Sequence, residues 1–438
     1  SVYRELGFTG GLAKNVGVTK RIERDFKVTA LTSEYDPMLA GAIGAALLAE
    51  EKYGGEGMDR FKKMVADRHE YAQVWKKRTG GKILCYCPTY MPEELAYAAG
   101  MLPVRLIAEQ MPDVVSAKWI YASCYPAKNM TNMILSGLYD YVDAFVNVED
   151  CQWMFNVFEV ACNNKPDLLS HYMFFTDYTE GPTAKDVMLS EMKVLKGKLE
   201  EWSGKEITEA ALDEAIEIYN TNRRLLRQIY EMRRFYKTPI LGSEMMNILL
   251  ANQVTDKAEM NGILKELIPE LEAREPYEDR LRLMIIGSET YNSELEEIVE
   301  SLGANVVADE LDNGSSSFWN DLVPHKDRLM ALTLRYLGRP HSAMKDSNWR
   351  RRPQHIFEMT EDYMVDGVLV VKQLVCQPHG SDNYAMWKML RERNIPYHFF
   401  ERDTTTPLDE TRVRIESFLN MIRPGVTRIR GWHQPLGL

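Results

Sequence analysis

Residues 366–382 read DGVLVVKQLVCQPHGSD, and this stretch indicates how the chain folds. The apolar run over residues 368–375 predicts a buried strand, and Cys376 stands where that strand ends. A proline, a histidine, a glycine and a polar turn follow, and a helix is predicted after Asp382. The stretch alone leaves open whether the sulfur of Cys376 packs in a core or faces a ligand.

The same sequence of strand, polar loop and helix recurs on both sides of a long helical segment. Strands that alternate with helices form parallel sheets, so the pattern predicts an α/β protein with two doubly wound parallel-sheet domains and a helical region between them. The other predicted strands are residues 83–87, 104–107, 143–150, 171–177, 281–286, 305–309 and 397–403.

A chain of 438 residues is too long for one ordinary core, so we expect several units. Residues 58–183 are predicted to form the first α/β domain and residues 279–438 the second. Residues 184–278 contain long amphipathic helical patterns without strands. Residues 1–53 form a βα fragment that is too small to bury a core of its own.

Composition excludes several classes of protein. A net charge of −11 argues against a general nucleic-acid binder, which needs a basic face. No apolar run reaches the ~20 residues that span a bilayer, and the first residues lack the layout of a signal peptide. Six cysteines are too sparse for a disulfide scaffold, so we expect a cytoplasmic protein with reduced thiols and no membrane partner.

Three of the cysteines share a context that suggests a site. Cys151 and Cys376 each follow a predicted strand, and Cys124 lies in a loop before a predicted helix. Ligands of open α/β sheets bind beyond the carboxyl ends of the strands, so these three thiols can meet there. An iron–sulfur cluster with one open iron fits such widely spaced cysteines better than a structural zinc site.

Spacing leaves two other interpretations of the cysteines open. All six can be small buried apolar side chains, which is common for free cysteine. A thiol nucleophile is a weaker alternative, in which His379, three residues after Cys376, would act as its base.

Several separate motifs occur in a characteristic order. They are CPTYMPEELAYAAGMLPVRL (87–106), ASCYPAKNM (122–130), YDYVDAFVNVEDCQWM (139–154), IIGSETYNSELEEIVESLGANVVADELDNGSSSFW (285–319) and DYMVDGVLVVKQLVCQPHGSDNYAMWKMLRERNIPYHFFERD (362–403). Together they resemble the subunits of class I benzoyl-CoA reductase and the related 2-hydroxyacyl-CoA dehydratases, from about residue 58 to the C-terminus. The stretch DELDNGSSSFW, residues 309–319, favours the benzoyl-CoA reductase branch.

The resemblance implies flavodoxin-like domains and a [4Fe-4S] cluster on Cys124, Cys151 and Cys376. It also implies a homologous cluster-binding subunit, activator ATPase subunits of the sugar-kinase/actin type, reduced ferredoxin as the upstream donor, and an aromatic acyl-CoA substrate. Candidate catalytic residues are Glu94, Thr89 and His379: Glu94 matches a Pro-x-Glu position of the family, and Thr89 lies near a position for a small hydroxyl.

The resulting expectation is an iron–sulfur subunit of an ATP-dependent benzoyl-CoA reductase, an oxidoreductase that dearomatises the ring. One alternative is a 2-hydroxyacyl-CoA dehydratase subunit, a lyase that acts through a ketyl radical. A non-catalytic electron-relay subunit and a cluster-free protein with structural cysteines are the others. FTGGLAKNVGVTKRIE, residues 8–23, lies in a segment, residues 1–51, that resembles the C-terminal end of the activator ATPase; the rest of that fold is absent, so no ATPase activity is expected.

Overall fold

The computed structural model describes most of the chain after residue 56. The described residues are 5–7, 29–31, 57–111, 116–120, 122–277, 280–340, 342–343, 345, 350–402 and 406–423. Two short strands, β1 (Glu5–Gly7) and β2 (Thr29–Leu31), pair in parallel. The rest of the segment that resembles an activator ATPase lies outside the described residues.

The first sheet contains four parallel strands in the spatial order β4-β3-β5-β6. All five residues of β3 and all five of β5 are buried, as expected for the central strands of a sheet covered on both faces. The strands are β3 (Ile83–Cys87), β4 (Leu102–Arg105), β5 (Ala144–Val148) and β6 (Leu169–Met173).

The second sheet is also parallel and has the order β10-β9-β7-β8. In each sheet the chain first forms an inner strand, then places the second strand on one side of it and the third and fourth strands on the other side. Both sheets are therefore doubly wound, as in flavodoxin-like folds. The expected α/β fold with two parallel-sheet domains is therefore confirmed. The strands are β7 (Leu281–Gly287), β8 (Ala304–Glu310), β9 (Gly367–Gln373) and β10 (Tyr397–Arg402).

Fourteen α-helices occur in the described part of the chain, and four long ones fill residues 184–273 between the two sheets. None of the described helices combines the length and the apolar composition that a bilayer-spanning segment needs. The helices are α1 (Asp59–Ala66), α2 (Arg68–Thr79), α3 (Glu93–Ala98), α4 (Tyr125–Leu135), α5 (Gln152–Asn164), α6 (Ala184–Ser203), α7 (Glu209–Glu231), α8 (Gly242–Asn252), α9 (Lys257–Ala273), α10 (Glu294–Ser301), α11 (Arg328–Gly338), α12 (Arg351–Asp362), α13 (Gln377–Glu392) and α14 (Leu408–Ile422).

Helix α11 follows the first two strands of the second sheet in the chain but packs on the first sheet. Its Leu332 and Tyr336 belong to the same hydrophobic core as Leu84 and Tyr86 of β3 and Met192 of α6. The chain therefore crosses from one sheet to the other after β8 and returns with α12. The domain boundaries at residues 183 and 278 stay a prediction.

The structure differs from the sequence-based expectation just beyond β9. The strand ends at Gln373, and α13 begins at Gln377, so the helix that we expected after Asp382 starts earlier in the chain. Pro378 lies in the first helical turn, where a missing N–H costs no hydrogen bond. Val375 turns the chain between the two elements with φ of +62°, a conformation that is strained for a β-branched residue.

Gly287 is the glycine on which the second sheet most clearly depends. It has φ of +131°, and a Cβ atom there would lie 2.0 Å from the carbonyl oxygen of Val371 on β9. We predict that Gly287→Ala lowers the free energy of unfolding by about 3 kcal/mol or more, because overpacking and a disfavoured backbone conformation add. Denaturant unfolding with far-UV circular dichroism measures this.

The matched control is Gly197→Ala within α6, where a Cβ would meet nothing within 4 Å. Alanine should stabilise that helix by about 0.5–1 kcal/mol. The two substitutions change the unfolded chain in the same way, so a similar effect at both positions would show that the close approach of Gly287 to β9 is not real.

Glu296 on α10 generates a pH-dependent prediction. It is buried, its Oε2 has no hydrogen-bond partner among the described residues, and burial raises its pKa to about 8. The folded state therefore keeps a proton that the unfolded state releases above about pH 4.5, and stability falls as pH rises through this window. Glu296→Gln should match the unsubstituted protein near pH 5 and exceed it at pH 8.

The pKa shift of Glu296 limits the stability that Glu296→Gln can gain at pH 8 to roughly 5 kcal/mol, since one pKa unit corresponds to about 1.4 kcal/mol. The measurement is urea unfolding at about pH 5, pH 6.5 and pH 8, which spans the range over which the Glu296 proton is lost. Glu297→Gln is the control, because Glu297 is the next residue on the same helix but is partly exposed and pairs with Lys62. A constant Glu296→Gln difference across the three pH values would contradict the prediction.

Candidate functional site

The ends of the central strands of both sheets meet at one cavity. In a doubly wound sheet the chain reverses its winding beside the first strand, and the crevice beyond the carboxyl ends at that switch point is the usual ligand site. Pro88 follows β3, Asp150 lies just beyond β5, Glu289 follows β7 and Cys376 lies just beyond β9. All four line the same cavity of about 70 Å³. The cavity therefore lies at the switch points of both sheets.

Cys124, Cys151 and Cys376 all line this cavity. Each is the N-cap residue of a helix, namely α4, α5 and α13, and each has an extended backbone. Three helix N-termini thus converge on one space, and the partial positive charge of such an end favours thiolates.

Backbone N–H groups in the first turn of each helix lie near its cysteine. The N–H groups of Ala127, Met154 and His379, each three residues after its cysteine, act to lower the pKa of that thiol. None of the three side chains makes a capping hydrogen bond, so the thiols occupy helix N-cap positions without closing the first turn.

Burial nevertheless keeps the thiols protonated when no cation is bound. It raises the pKa of Cys124 to about 12 and that of Cys151 well above its usual value, and it also raises the pKa of Cys376. Metal coordination deprotonates a thiol outright, so a bound positive group would overcome this effect. Three convergent thiols with amide donors behind them suit such a group chemically.

Three carboxyl groups line the same cavity. Burial, and then the nearby Asp312, raise the pKa of Asp150 to about 7. Burial raises the pKa of Asp312 to about 6, against the opposing effect of the Arg339 guanidinium. Glu289 instead forms an ion pair with Arg105 at 2.5 Å. The cavity therefore combines proton-carrying acids with thiols.

His379 also lines the cavity. Burial, followed by the cations Arg352 and Lys372, lowers its pKa to about 3, so the imidazole is neutral. Arg352 is the buried member of the arginine run at residues 350–352, and it donates two 2.8 Å hydrogen bonds to Glu310. This ion pair joins α12 to β8 behind the site.

Thr89 and Glu94 lie outside the cavity lining. The hydroxyl of Thr89 donates to the backbone carbonyl oxygen of Asp312 at 3.0 Å, and Arg339 donates to the Thr89 carbonyl oxygen at 2.9 Å. Thr89 therefore holds the loop of Asp312 in place. Glu94 is fully buried, pairs with Arg223 and accepts a 2.9 Å hydrogen bond from the Tyr336 hydroxyl.

Several lining residues were missed by the sequence analysis. Cys87, Ser288 and Glu289 line the cavity, and the thiol of Cys87 donates to the Met154 sulfur at 3.3 Å. A search for residues directly after β7 would have found Ser288 and Glu289, since the equivalent position after β3 and β5 also contributes to the site. Among the described residues, no three His, Cys, Asp or Glu side chains are arranged to hold one metal ion.

The chain is therefore an α/β protein in which two flavodoxin-like sheets present three cysteines at helix N-caps to one cavity. The family model described as "2-hydroxyglutaryl-CoA dehydratase, D-component" matches residues 88–422, which is more than half of the chain. The chain belongs to this family. The match contains Cys124, Cys151 and Cys376 but begins just after Cys87, the fourth cysteine that lines the cavity.

Curated relatives cover most of the chain at about one quarter identity. The (R)-phenyllactyl-CoA dehydratase beta subunit of Clostridium sporogenes is 25% identical over 367 residues, which is 82% of this chain and 96% of the relative. One of the benzoyl-CoA reductase subunits of Thauera aromatica is 24% identical over 339 residues, which is 75% of this chain and 88% of the relative. The (R)-2-hydroxyglutaryl-CoA dehydratase beta subunit of Acidaminococcus fermentans is 25% identical over 352 residues, which is 78% of this chain and 92% of the relative. The family expected from the sequence is confirmed.

The environment of Glu94 predicts a large effect on stability. Glu94→Gln keeps the shape of the side chain but leaves the buried Arg223 without its charge partner. Loss of one member of a buried ion pair typically costs about 3–5 kcal/mol, and we expect a decrease of that size in the free energy of unfolding. Chemical denaturation of the purified protein measures it.

Glu217→Gln is the control, because Glu217 is exposed and pairs with the exposed Arg224 at 2.7 Å. Exposed pairs contribute at most about 1 kcal/mol. If Glu94→Gln leaves stability unchanged while activity falls, the catalytic assignment of Glu94 gains support and the structural one is wrong.

Proposed function

We propose that the chain is an enzyme subunit that holds a [4Fe-4S] cluster on Cys124, Cys151 and Cys376 and acts on an acyl-CoA thioester. The observation that carries the proposal is the convergence of these three thiols, each at a helix N-terminus, on one cavity at both switch points. Family membership supports it, since relatives are named as subunits of enzymes of CoA thioesters.

The donor set fits an iron–sulfur cluster. Cysteine thiolates are the ligands that such clusters use, and three of them leave one iron with an open position. Such a cluster supplies one-electron chemistry and a Lewis-acidic iron when it is bound. The chain would contribute the three thiolates and the partial positive charge of the three helix N-termini at which they lie.

The acids of the cavity are placed to handle protons. Asp312 lines the cavity beside the cysteines, and its Oδ1 has no hydrogen-bond partner among the described residues. We assign Asp312 as the group that holds a proton at Oδ1 near the substrate carbonyl oxygen. His379 also lines the cavity and stays a catalytic candidate, whereas Thr89 and Glu94 support the site from behind.

Two reactions are candidates for this site. Reduction of benzoyl-CoA or a close aromatic acyl-CoA is supported by the loop at residues 309–319, which places Asp312 in the cavity. Dehydration of a 2-hydroxyacyl-CoA is supported by the matching family model and by relatives named as dehydratase subunits. An electron-relay subunit without its own substrate is the third possibility.

The expected partners belong to the proposal. Each relative is named as one subunit of a larger enzyme, which supports a homologous cluster-binding subunit as the partner of this chain. Activator ATPase subunits and reduced ferredoxin would deliver the electrons, and the assembly would work in the cytoplasm. A net charge of −11 gives no support for a nucleic-acid partner.

Substrate and electron counts together distinguish the reactions. The complex is purified anaerobically with its partner subunit and incubated with a strong reductant and either benzoyl-CoA or a 2-hydroxyacyl-CoA. Ring reduction consumes reductant in proportion to product, whereas dehydration needs it only in catalytic amounts because there is no net redox change. If the complex retains iron but neither binds nor converts either thioester, the result supports an electron-relay subunit without its own substrate.

The ligand assignment predicts iron content directly. Cys124→Ser, Cys151→Ser and Cys376→Ser should each lose most of the iron and acid-labile sulfide after anaerobic purification, while circular dichroism stays unchanged. Cys162→Ser is the control and should retain both, because Cys162 does not line the cavity. Equal losses in all four variants, or an iron-free parent protein, would overturn the cluster proposal.

A further inference from the structure

A second buried cavity lies apart from the cysteines, where the helical region meets both sheets. Its volume is about 30 Å³. Arg223 of α7, Lys257 of α9, Arg335 of α11 and Glu93 of α3 all line it, and the three cations are each less than one-tenth exposed. Three buried cations and one carboxylate, Glu93, in the lining of so small a space need an electrostatic explanation.

Two of the three cations have carboxylate partners. Arg223 pairs with Glu94, and the Lys257 ammonium lies 3.1 Å from the Glu93 carboxylate. Arg335 is 4% exposed, and no carboxylate in the described part of the chain forms an ion pair with it. Three cations therefore face two carboxylates, and the excess positive charge belongs to Arg335.

The hydrogen bonds of Arg335 are also incomplete. Its Nη2 donates to the Ser317 carbonyl oxygen at 2.6 Å, but its Nε is buried without any partner among the described residues. Burial and the neighbouring Arg223 lower the pKa of Arg335 to about 9. Glu94 lies near enough to attract Arg335 but pairs with Arg223, so the Arg335 guanidinium is buried without an ion pair of its own. Such a group is unfavourable, and a further negative charge in the cavity would compensate it.

We propose that this cavity binds one small monovalent inorganic anion, chloride, with Arg335 as its main ligand and Arg223 and Lys257 as supporting charges. The cavity is small, and its volume of about 30 Å³ exceeds the roughly 10–15 Å³ that one ordered water needs on the same measure, so it favours a compact ion over an organic anion. A water molecule would fit but would leave the excess charge uncompensated.

The anion would act as a structural link between the parts of the chain. Its ligands come from α7 and α9 of the helical region and from α11, which packs on the first sheet. Glu93 begins α3 directly after the loop that follows β3, and Thr89 of that loop also lines the cavity. The site is independent of the cysteine cavity, so its occupancy should not alter iron content.

The test starts from the complete chain in chloride-free buffer with sodium gluconate as the salt. Chloride, and bromide equally, should raise the unfolding temperature with a saturable dose response at constant ionic strength, because binding to the folded state alone stabilises it. Gluconate, which is too large for the cavity, should not. A dose response that is linear, or that gluconate reproduces, overturns the proposal.

Arg335→Met removes the charge and keeps an unbranched apolar side chain. In chloride-free buffer this variant should unfold at a temperature equal to or above that of the parent, since the uncompensated charge has gone. Its response to chloride should weaken at least tenfold in midpoint concentration. Arg224→Met, at an exposed position on α7, is the control and should keep the chloride response of the parent.

A crystallographic measurement on the unsubstituted protein covers the case in which Arg335→Met does not fold. Crystals grown or soaked in bromide should show an anomalous peak beside Arg335 between α7, α9 and α11. An ordered water at that point with no bromide signal would overturn the proposal, and so would a chloride response that Arg335→Met leaves unchanged.

Discussion

The constraint on which this structure depends is that the carboxyl ends of parallel strands, and the helix N-termini that follow them, point to one edge of a sheet. Both sheets are doubly wound in the same order, and their switch points open onto the same cavity. Three helices begin there with cysteine as the N-cap. The fold therefore places thiols, amide donors and partial positive charge together without any dedicated loop insertion.

Buried ion pairs fix the relative positions of the elements around this cavity. Arg105 of β4 pairs with Glu289 beyond β7, and Arg352 of α12 pairs with Glu310 of β8. Such pairs contribute little net stability, but they are costly to break one side at a time. Here they position the site, because Glu289 lies in the cavity lining and Glu310 lies directly behind it.

The architecture and the three cysteines could be predicted from the sequence, because apolar runs and strand-end positions are local signals. The start of α13 was misplaced, because Gln377–Asp382 looks like a polar turn until the N-cap position of Cys376 is seen. Glu289 and Asp312 are absent from the predicted site residues, because their burial arises from contact between two distant sheets. Glu94 has a family-like position, yet its partner Arg223 lies 129 residues away, so its ion pair could not be predicted locally.

The crossing of α11 onto the first sheet has a consequence for how the molecule moves. A two-domain protein with a ligand in its cleft commonly opens by rotating one domain against the other about a hinge. Here α11 shares a core with the first sheet, so it would move with that sheet, and the connections after β8 and before α12 would have to act as the hinges. A cavity of about 70 Å³ cannot admit a thioester as it stands. Substrate entry therefore requires that the cavity widen, and the strained turn at Val375, directly before Cys376, lies where such a change would act on the site.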